Sequence, residues 1–524
     1  MLDHLWLGVQ AVFLADPAFI VLGIGISTTL LMILFGFLLG IFVGATPGLA
    51  GPMAMAISLP ILISIFGFNE DAFLPVLGCL IGIMKGATVG GAVPAILFNT
   101  PGTPDAYMTT LDGFPMAERG EARKALRVAH FSSASGDTFS DIILVVCAPF
   151  LAILVEAYLD LPEKTGLLIL SLAFIASVIG GSVGKGIISM GLGLLAAFIA
   201  TGEDFYPRLT MGNQSLSGGI PIVAAVLGVL IVGEVFRALE DLRLNGPKKT
   251  ATHSVVEGDG RLGWPLIRRL SPIIGRSAFI GTVIGALPGV GSTLAATIGY
   301  TSAKARAERR GEPALGAGVP EGIAATEAAN SSVSGANLIP VLSLGIPGNA
   351  AAVFLILAMD SIGGFNPGPG VFRLEGGVQG EGVNPELVLA FGLFVSMFFA
   401  NALNWTIGGM FMRTVGIMAR VPKERLLPIV LLLTLTAIYV QETNLVAVWI
   451  TIGFGFLGYF MRRVGMSPLP FVIAFILGGN LEATARQAFA ATGSDPFFLM
   501  NSPIALAFMV LAVGVVTYSL RKTT

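Results

Sequence analysis

The chain has 524 residues, 54% of them hydrophobic and only 12% charged, with a mean hydropathy of +0.84 and a net charge of −2. Soluble domains carry about 25% charged residues, so no soluble class fits, and 30 basic against 32 acidic residues exclude a basic nucleic-acid face. Glycine and proline total 98 residues, about 19% of the chain against roughly 12% on average, an excess that an all-α polytopic membrane protein has to explain.

Residues 1–18 carry no Lys or Arg and read as an amphipathic helix in the membrane interface, with Leu2, Leu5, Trp6, Val9, Val12 and Phe13 on one side. Apolar runs then predict full spans over 19–44, 139–159, 164–183, 186–202, 220–238, 386–408, 426–441, 443–461 and 499–519. Two hydrophobic regions, 45–102 and 277–359, are interrupted by polar and Pro-Gly positions. The organisation read from this is a first half at 19–238, a cytoplasmic linker at 239–275 and a second half at 276–520. Placing the basic clusters in the cytoplasm accommodates 25 of the 30 basic residues and puts the N-terminus outside and the C-terminus inside.

Two motifs occur twice. Gly40-x-x-x-Gly44-Ala45-Thr46-Pro47-Gly48 returns as Gly281-x-x-x-Gly285-Ala286-Leu287-Pro288-Gly289. Gly91-Ala92, Pro94 and Pro101-Gly102 return as Gly335-Ala336, Pro340 and Pro347-Gly348, and the first prolines of the two motifs are 47 residues apart in one half and 52 in the other. The flanking charges reverse between the halves. After the first motif comes acidic Asn69-Glu70-Asp71 in one half but the basic run Lys304 to Arg310 in the other. After the second motif, Arg119 to Arg127 is basic, whereas the stretch from Asp360 to Leu387 holds Arg373 alone. The expectation is two inverted-topology repeats with broken or re-entrant helices carrying Pro-Gly loops, the pattern of secondary transporters.

Pro-Gly within a membrane helix breaks it, because Pro removes a backbone donor and Gly tolerates left-handed geometry. Such breaks persist in hydrocarbon only where the freed backbone groups line a cavity or meet a ligand. Helices starting after the breaks would aim free N–H groups and a positive dipole end at a carboxylate. The candidate substrate-binding residues are Thr46, Pro47, Gly48, Asn99, Thr100, Pro101, Gly102, Pro288, Gly289, Ser292, Asn330, Ser334, Pro347, Gly348 and Asn349. Carbonyls at the helix ends supply a weaker set for a cation, Gly44, Gly285 and Gly345 with the Glu327 carboxylate. Spacings of three, four and seven place Glu327, Asn330 and Ser334 on one helix face.

Lys85, alone in an apolar run, reads either as functional or as the partner of a structural carboxylate. Asp137 and Asp141 read as the solvated start of a span. No Walker loop, H-E-x-x-H, disulfide or metal framework is present, so an ATP-driven pump, a membrane metalloprotease and an enzyme in general are disfavoured.

On Gly44–Gly48, Asn99-Thr-Pro-Gly102, Asp112-Gly-Phe-Pro-Met116, Gly285–Gly291, Glu321-Gly322, Glu327-Ala-Ala-Asn330, Leu344-Gly-Ile-Pro-Gly348 and Phe454-Gly-Phe-Leu-Gly-Tyr459, the chain resembles the large membrane subunit of tripartite tricarboxylate transporters over nearly its whole length. Ser331-Ser332 and Thr100 depart from that family's pattern, which bears on ligand choice. The resemblance implies a multi-pass protein of the bacterial inner membrane that imports organic carboxylates by symport with Na⁺ or H⁺. It also implies a small four-helix membrane subunit and a periplasmic substrate-binding protein as partners, and no bound cofactor. The alternative on the same fold is a passive organic-anion channel.

Overall fold

The computed structural model describes residues 2–523 apart from 16, 22–23, 47–48, 180–181, 201–207, 210–218, 246–261, 289–290, 374–383 and 411–422. It is 83% helical. The chain opens with α1 (Leu2–Phe13), an antiparallel hairpin of β1 (Pro17–Val21) and β2 (Ile24–Ser27), then α2 (Thr28–Gly44) and α3 (Gly51–Phe66). There follow α4 (Phe73–Phe98), α5 (Tyr107–Glu118), α6 (Ala122–Tyr158), α7 (Leu161–Ile179) and α8 (Val183–Ala200). Next, α9 (Ile222–Leu227) passes through a π-helical turn at Gly228–Val232 into α10 (Gly233–Asn245). The second half begins with α11 (Trp264–Gly285), α12 (Gly291–Arg310), α13 (Pro320–Ala336), α14 (Leu338–Leu344) and α15 (Ala350–Ile362). Then α16 (Pro385–Leu403) runs into another π turn at Asn404–Gly408, and α17 (Lys423–Glu442), α18 (Leu445–Arg463), α19 (Leu469–Ala491) and α20 (Pro503–Thr523) complete the chain.

Among the described residues, six helical stretches are long and apolar enough to cross a membrane, the first two being Glu70–Phe98 and Ala122–Tyr158. Three expectations about the spans change. The run at 19–44 is not one helix: strands pair Phe19 with Ile26 and Val21 with Ile24, and α2 starts at Thr28 behind the Ser27 side chain, which caps Leu30 N at 3.3 Å. The span expected at 139–159 is the end of a 37-residue helix, about 55 Å at 1.5 Å per residue, which overruns a hydrocarbon core of about 30 Å. Helix α19 was not foreseen, because only its first half (Pro470 to Leu477) is apolar and buried, and Gly478-Gly479-Asn480 then breaks the hydropathy run. Within the expected 1–18 segment the helix spans Leu2–Phe13; its Gly8 lies against the α16 backbone at Phe391, and Trp6 is exposed.

The chain forms two compact units, each drawing on both halves of the sequence. One comprises Met1–Ala152, Lys248–Leu287 and Gly291–Arg425; the other comprises Ile153–Pro247, Pro288–Val290 and Leu426–Thr524. The core of the first unit is the α2–α4 pair with α11, α12 and α13 packed on one another. Its backbones touch through glycine. A methyl group on Gly36, Gly40 or Gly44 of α2 would lie 2.1, 2.4 or 2.2 Å from the carbonyl oxygens of Cys79, Ile83 and Ala87 on α4. One on Gly82, Gly86 or Gly90 of α4 would lie 2.5, 2.2 or 2.4 Å from those of Ile33, Phe37 and Ile41. Small residues at spacing four let dispersion and weak Cα–H···O contacts act between helices that gain nothing from the hydrophobic effect in lipid.

In the second unit, α8 packs on α19, α7 on α20 and α18 on the π turn. Gly458 of α18 meets the Val229 carbonyl, and Arg462 donates to the carbonyls of Val229 (2.7 Å) and Leu230 (2.9 Å) while pairing with Glu234 at 2.7 Å. A π turn misaligns backbone acceptors from their usual donors. Here one guanidinium takes them up.

Candidate binding site at the helix breaks

The duplicated motifs build duplicated backbone geometry. Where α2 ends, Ala45 N donates to Ile41 O and Thr46 N to Val43 O, both at 3.0 Å. Where α11 ends, Ala286 N donates to Thr282 O at 3.0 Å and Leu287 N to Ile284 O at 3.1 Å. The second breaks match as closely. Asn99 and Gly345 close their helices in the left-handed conformation (φ 50° and 69°), and the next amide reaches back over the turn, Thr100 N to Pro94 O and Ile346 N to Pro340 O, each at 3.2 Å. Asn and Gly are the residues that adopt this conformation readily. In each half the second break lies against the carbonyl that ends the first: Gly102 by Gly44 O and Gly348 by Gly285 O.

Individual candidates fall into different surroundings. Thr46 is buried and its hydroxyl donates to Phe42 O at 2.9 Å, while the Thr100 hydroxyl donates to Phe98 O at 3.1 Å. Gly102, Pro347 and Gly348 are buried, Pro101, Pro288 and Ser292 half-buried, and Asn99 exposed. Asn349 caps α15, its side-chain oxygen accepting from Ala352 N at 2.9 Å. Pro47, Gly48 and Gly289 lie outside the described residues. No helix starts directly after Pro101: a 3-10 turn at Pro104–Ala106 intervenes, and α5 begins at Tyr107.

The first half's second break meets the second half. Thr293 donates to Asp105 at 2.6 Å, Thr109 lies 3.2 Å from Thr326, and the Thr109 hydroxyl also donates to Glu327. Along this break, α13 and the residue that ends it, the Thr103 hydroxyl, the second Glu327 oxygen, the Asn330 side-chain oxygen and both amide atoms of Asn337 are buried without a hydrogen-bond partner. Buried polar atoms are nearly always satisfied in folded proteins, so each of these is a candidate for ligand contact. In the sequence Asn337 and Thr103 stand out only as two of several polar residues that cluster at the breaks.

Ser334, expected beside Asn330, instead donates to Asp137. Asp137 and Asp141 are not a solvated helix start: α6 begins at Ala122, and both side chains are fully buried beside Lys85. A lysine deep in an apolar run needs a carboxylate partner, and that signal was present, but the partner's position depends on helix packing. Two cavities, about 500 Å³ beside Arg123, His130 and Trp405 and about 770 Å³ beside Arg276, Arg306 and Arg310, lie away from the breaks.

Comparison with known proteins agrees with these motifs. A family model described as "Tripartite tricarboxylate transporter TctA family" matches residues 30–473. The chain is 31% identical over 494 residues, 93% of its length and 92% of the relative's, to an uncharacterized 52.8 kDa protein in the TAR-I ttuC' 3' region of Agrobacterium vitis. It is 30% identical over 244 residues, 46% of its length and 93% of the relative's, to an uncharacterized protein in the TAR-II ttuC' 3' region of the same organism. No solved structure matches the chain.

Proposed function

The chain belongs to the tripartite tricarboxylate transporter TctA family and is a multi-pass membrane subunit of such a transporter, and from that premise we propose that it imports organic carboxylates by symport with Na⁺ or H⁺. In this reading the two halves are inverted repeats whose Pro-Gly segments are re-entrant, and the substrate binds between them. The observation that carries it is the paired break geometry, with Pro94 O and Pro340 O holding equivalent turns, next to buried polar atoms that lack partners. Amide groups freed at the breaks offer hydrogen bonds to a carboxylate without an arginine. Glu327, with the helix-end carbonyls of Gly44, Gly285 and Gly345, is the seat for Na⁺. Alternating access follows an elevator-type movement of the elements that carry the breaks. The chain works in the bacterial inner membrane with a small four-helix subunit and a periplasmic substrate-binding protein, its N-terminus outside and its C-terminus inside.

The test is uptake of labelled citrate and C4-dicarboxylates into proteoliposomes containing the chain, the small subunit and the binding protein. Accumulation above the outside concentration, driven by a Na⁺ or pH gradient, is the expected result. Equilibration without accumulation would mean a channel. Uptake that persists unchanged in a well-folded Pro347→Ala/Gly348→Ala variant would remove the substrate from the breaks.

A further inference from the structure

The buried cluster around Lys85 holds more negative than positive charge. The Lys85 ammonium meets Asp141 at 2.9 Å, Asp137 at 3.3 Å and the Asn401 side-chain oxygen at 3.0 Å, and all three ionic side chains are essentially inaccessible to solvent. Its three N–H donors thus have three acceptors, which holds the ammonium charged. Asn401 donates to the Asp141 oxygen that also accepts from Lys85, at 2.7 Å, and Ser334 donates to one oxygen of Asp137. The remaining oxygens, Asp137 Oδ2 and Asp141 Oδ1, are buried and accept nothing.

Two carboxylates against one ammonium leave one unit of negative charge where desolvation makes an unbalanced ion costly. Among the described residues, no second cationic group faces the cluster from the packed elements. Helix α4 brings Lys85, α2 has no ionisable residue, and α16 brings Asn401, its one carboxylate, Glu386, standing at its start. On α6 the next group along the same face is His130, engaged with Asn404 O at 2.9 Å; on α13 it is Glu327, two turns before Ser334 and bonded to Thr109. A metal cation in this space would stand beside the Lys85 ammonium and be repelled by it. A proton supplies the missing charge on a carboxylate itself.

We propose that Asp137 and Asp141, held by Lys85, form the proton-carrying site of this protein: the pair takes up one proton, Asp–COO⁻ + H⁺ ⇌ Asp–COOH, and so couples a pH gradient to carboxylate movement. The coupling role rests on the transporter reading above. The site joins α4 and α6 to α13, where Gly335 lies so close that a methyl group on it would stand 2.2 Å from Asp141 Oδ1. Two residues on, just past the end of α13, is Asn337, with its unpartnered amide, followed by the Pro340–Gly345 break. The charge of the pair is therefore felt by the element that leads into the second-half break.

Infrared difference spectra of the purified full chain across pH are the direct test. A protonated-carboxyl band is expected that shifts when aspartate is ¹³C-labelled, disappears in Asp137→Asn or Asp141→Asn and survives in Glu327→Gln. Labelling needs no substitution, so it decides the matter even where an Asp variant misfolds. A band that ignores aspartate labelling overturns the proposal. In proteoliposomes with both partners, the acceleration of uptake by an inside-alkaline pH gradient is expected to be lost in the Asp variants. Wild-type uptake that ignores the pH gradient overturns the coupling role. A wild-type complex with no uptake at all counts against the transporter reading, while the infrared result still decides the proton.

Discussion

Asp112 shows how a side chain in a family motif can act on backbone. From α5 its carboxylate accepts from the amides of Gly316 (2.9 and 3.0 Å), Gly318 (2.8 Å) and Val319 (2.9 Å) and from the Tyr300 hydroxyl (3.0 Å). Arg119 holds the same loop through the carbonyls of Ala317 and Gly318. This clamp sets the start of α13, and hence the position of Glu327 and Asn330. Asp112→Ala strands these donors, of which Gly318 N and the Tyr300 hydroxyl are in buried bonds, at about 1–3 kcal/mol for each buried one left unsatisfied, and is expected to lower the thermal unfolding midpoint of the purified protein. Asp112→Asn keeps one acceptor oxygen and should lie between the two. An unchanged midpoint in the Ala variant would mean that water replaces the carboxylate. Glycine is also needed at position 322, where a methyl group would lie 1.9 Å from Asp112 Oδ2. From the sequence, Asp112 was legible only as part of a motif; its partners lie some 200 residues away in the chain, and no local spacing encodes them.

At the scale of elements, the glycine excess has two uses. The breaks take a few residues, among them Gly345 with its left-handed backbone, and a larger set serves close packing. Helices α2 and α4 interlock through six glycines, and in the second half Gly281 repeats the device, with the Ala329 carbonyl 2.1 Å from a methyl placed on it. Gly86→Val drives a side chain into the Phe37 carbonyl, which cannot swing away as a side-chain tip would, so this variant is expected to lose the folded, monodisperse peak in detergent chromatography. Gly191→Ala in α8 meets no atom within 4 Å and is expected to be neutral or up to about 1 kcal/mol stabilising. Equal behaviour of the two variants would refute the packing argument. Arg462 offers a third case. Replacing it with Lys keeps the charge but gives up the fork that spans Val229 O and Leu230 O, so the Lys variant should unfold at a lower temperature than wild type, and Arg462→Ala lower still. The x-x-x spacing of Gly40 and Gly44 was readable in advance as part of a repeat, but which helix it touched was not.

For the whole molecule, the prediction is functional: the complex with its partners accumulates carboxylate, and the chain alone does not, because delivery of substrate is assigned to another protein. Uptake by the chain alone at the rate of the full complex would contradict that division of labour. Amino-acid order by itself determined that this chain lives in a membrane, that it is helical, that it carries two copies of a break-forming motif and that it belongs among the tricarboxylate transporters. Those properties are local or additive: hydropathy sums along a window, and Pro and Gly act on their own backbone. The tertiary structure alone decided that 19–44 begins with a hairpin, that Thr103, Glu327, Asn330 and Asn337 share unsatisfied burial, and that Lys85 is matched with Asp137, Asp141 and Asn401. The last of these depends on residues up to 316 positions apart being brought within hydrogen-bond reach. Whether a buried charge is solvated, paired or one proton short is settled by its neighbours in space, because in a low-dielectric interior the nearest few atoms set its energy.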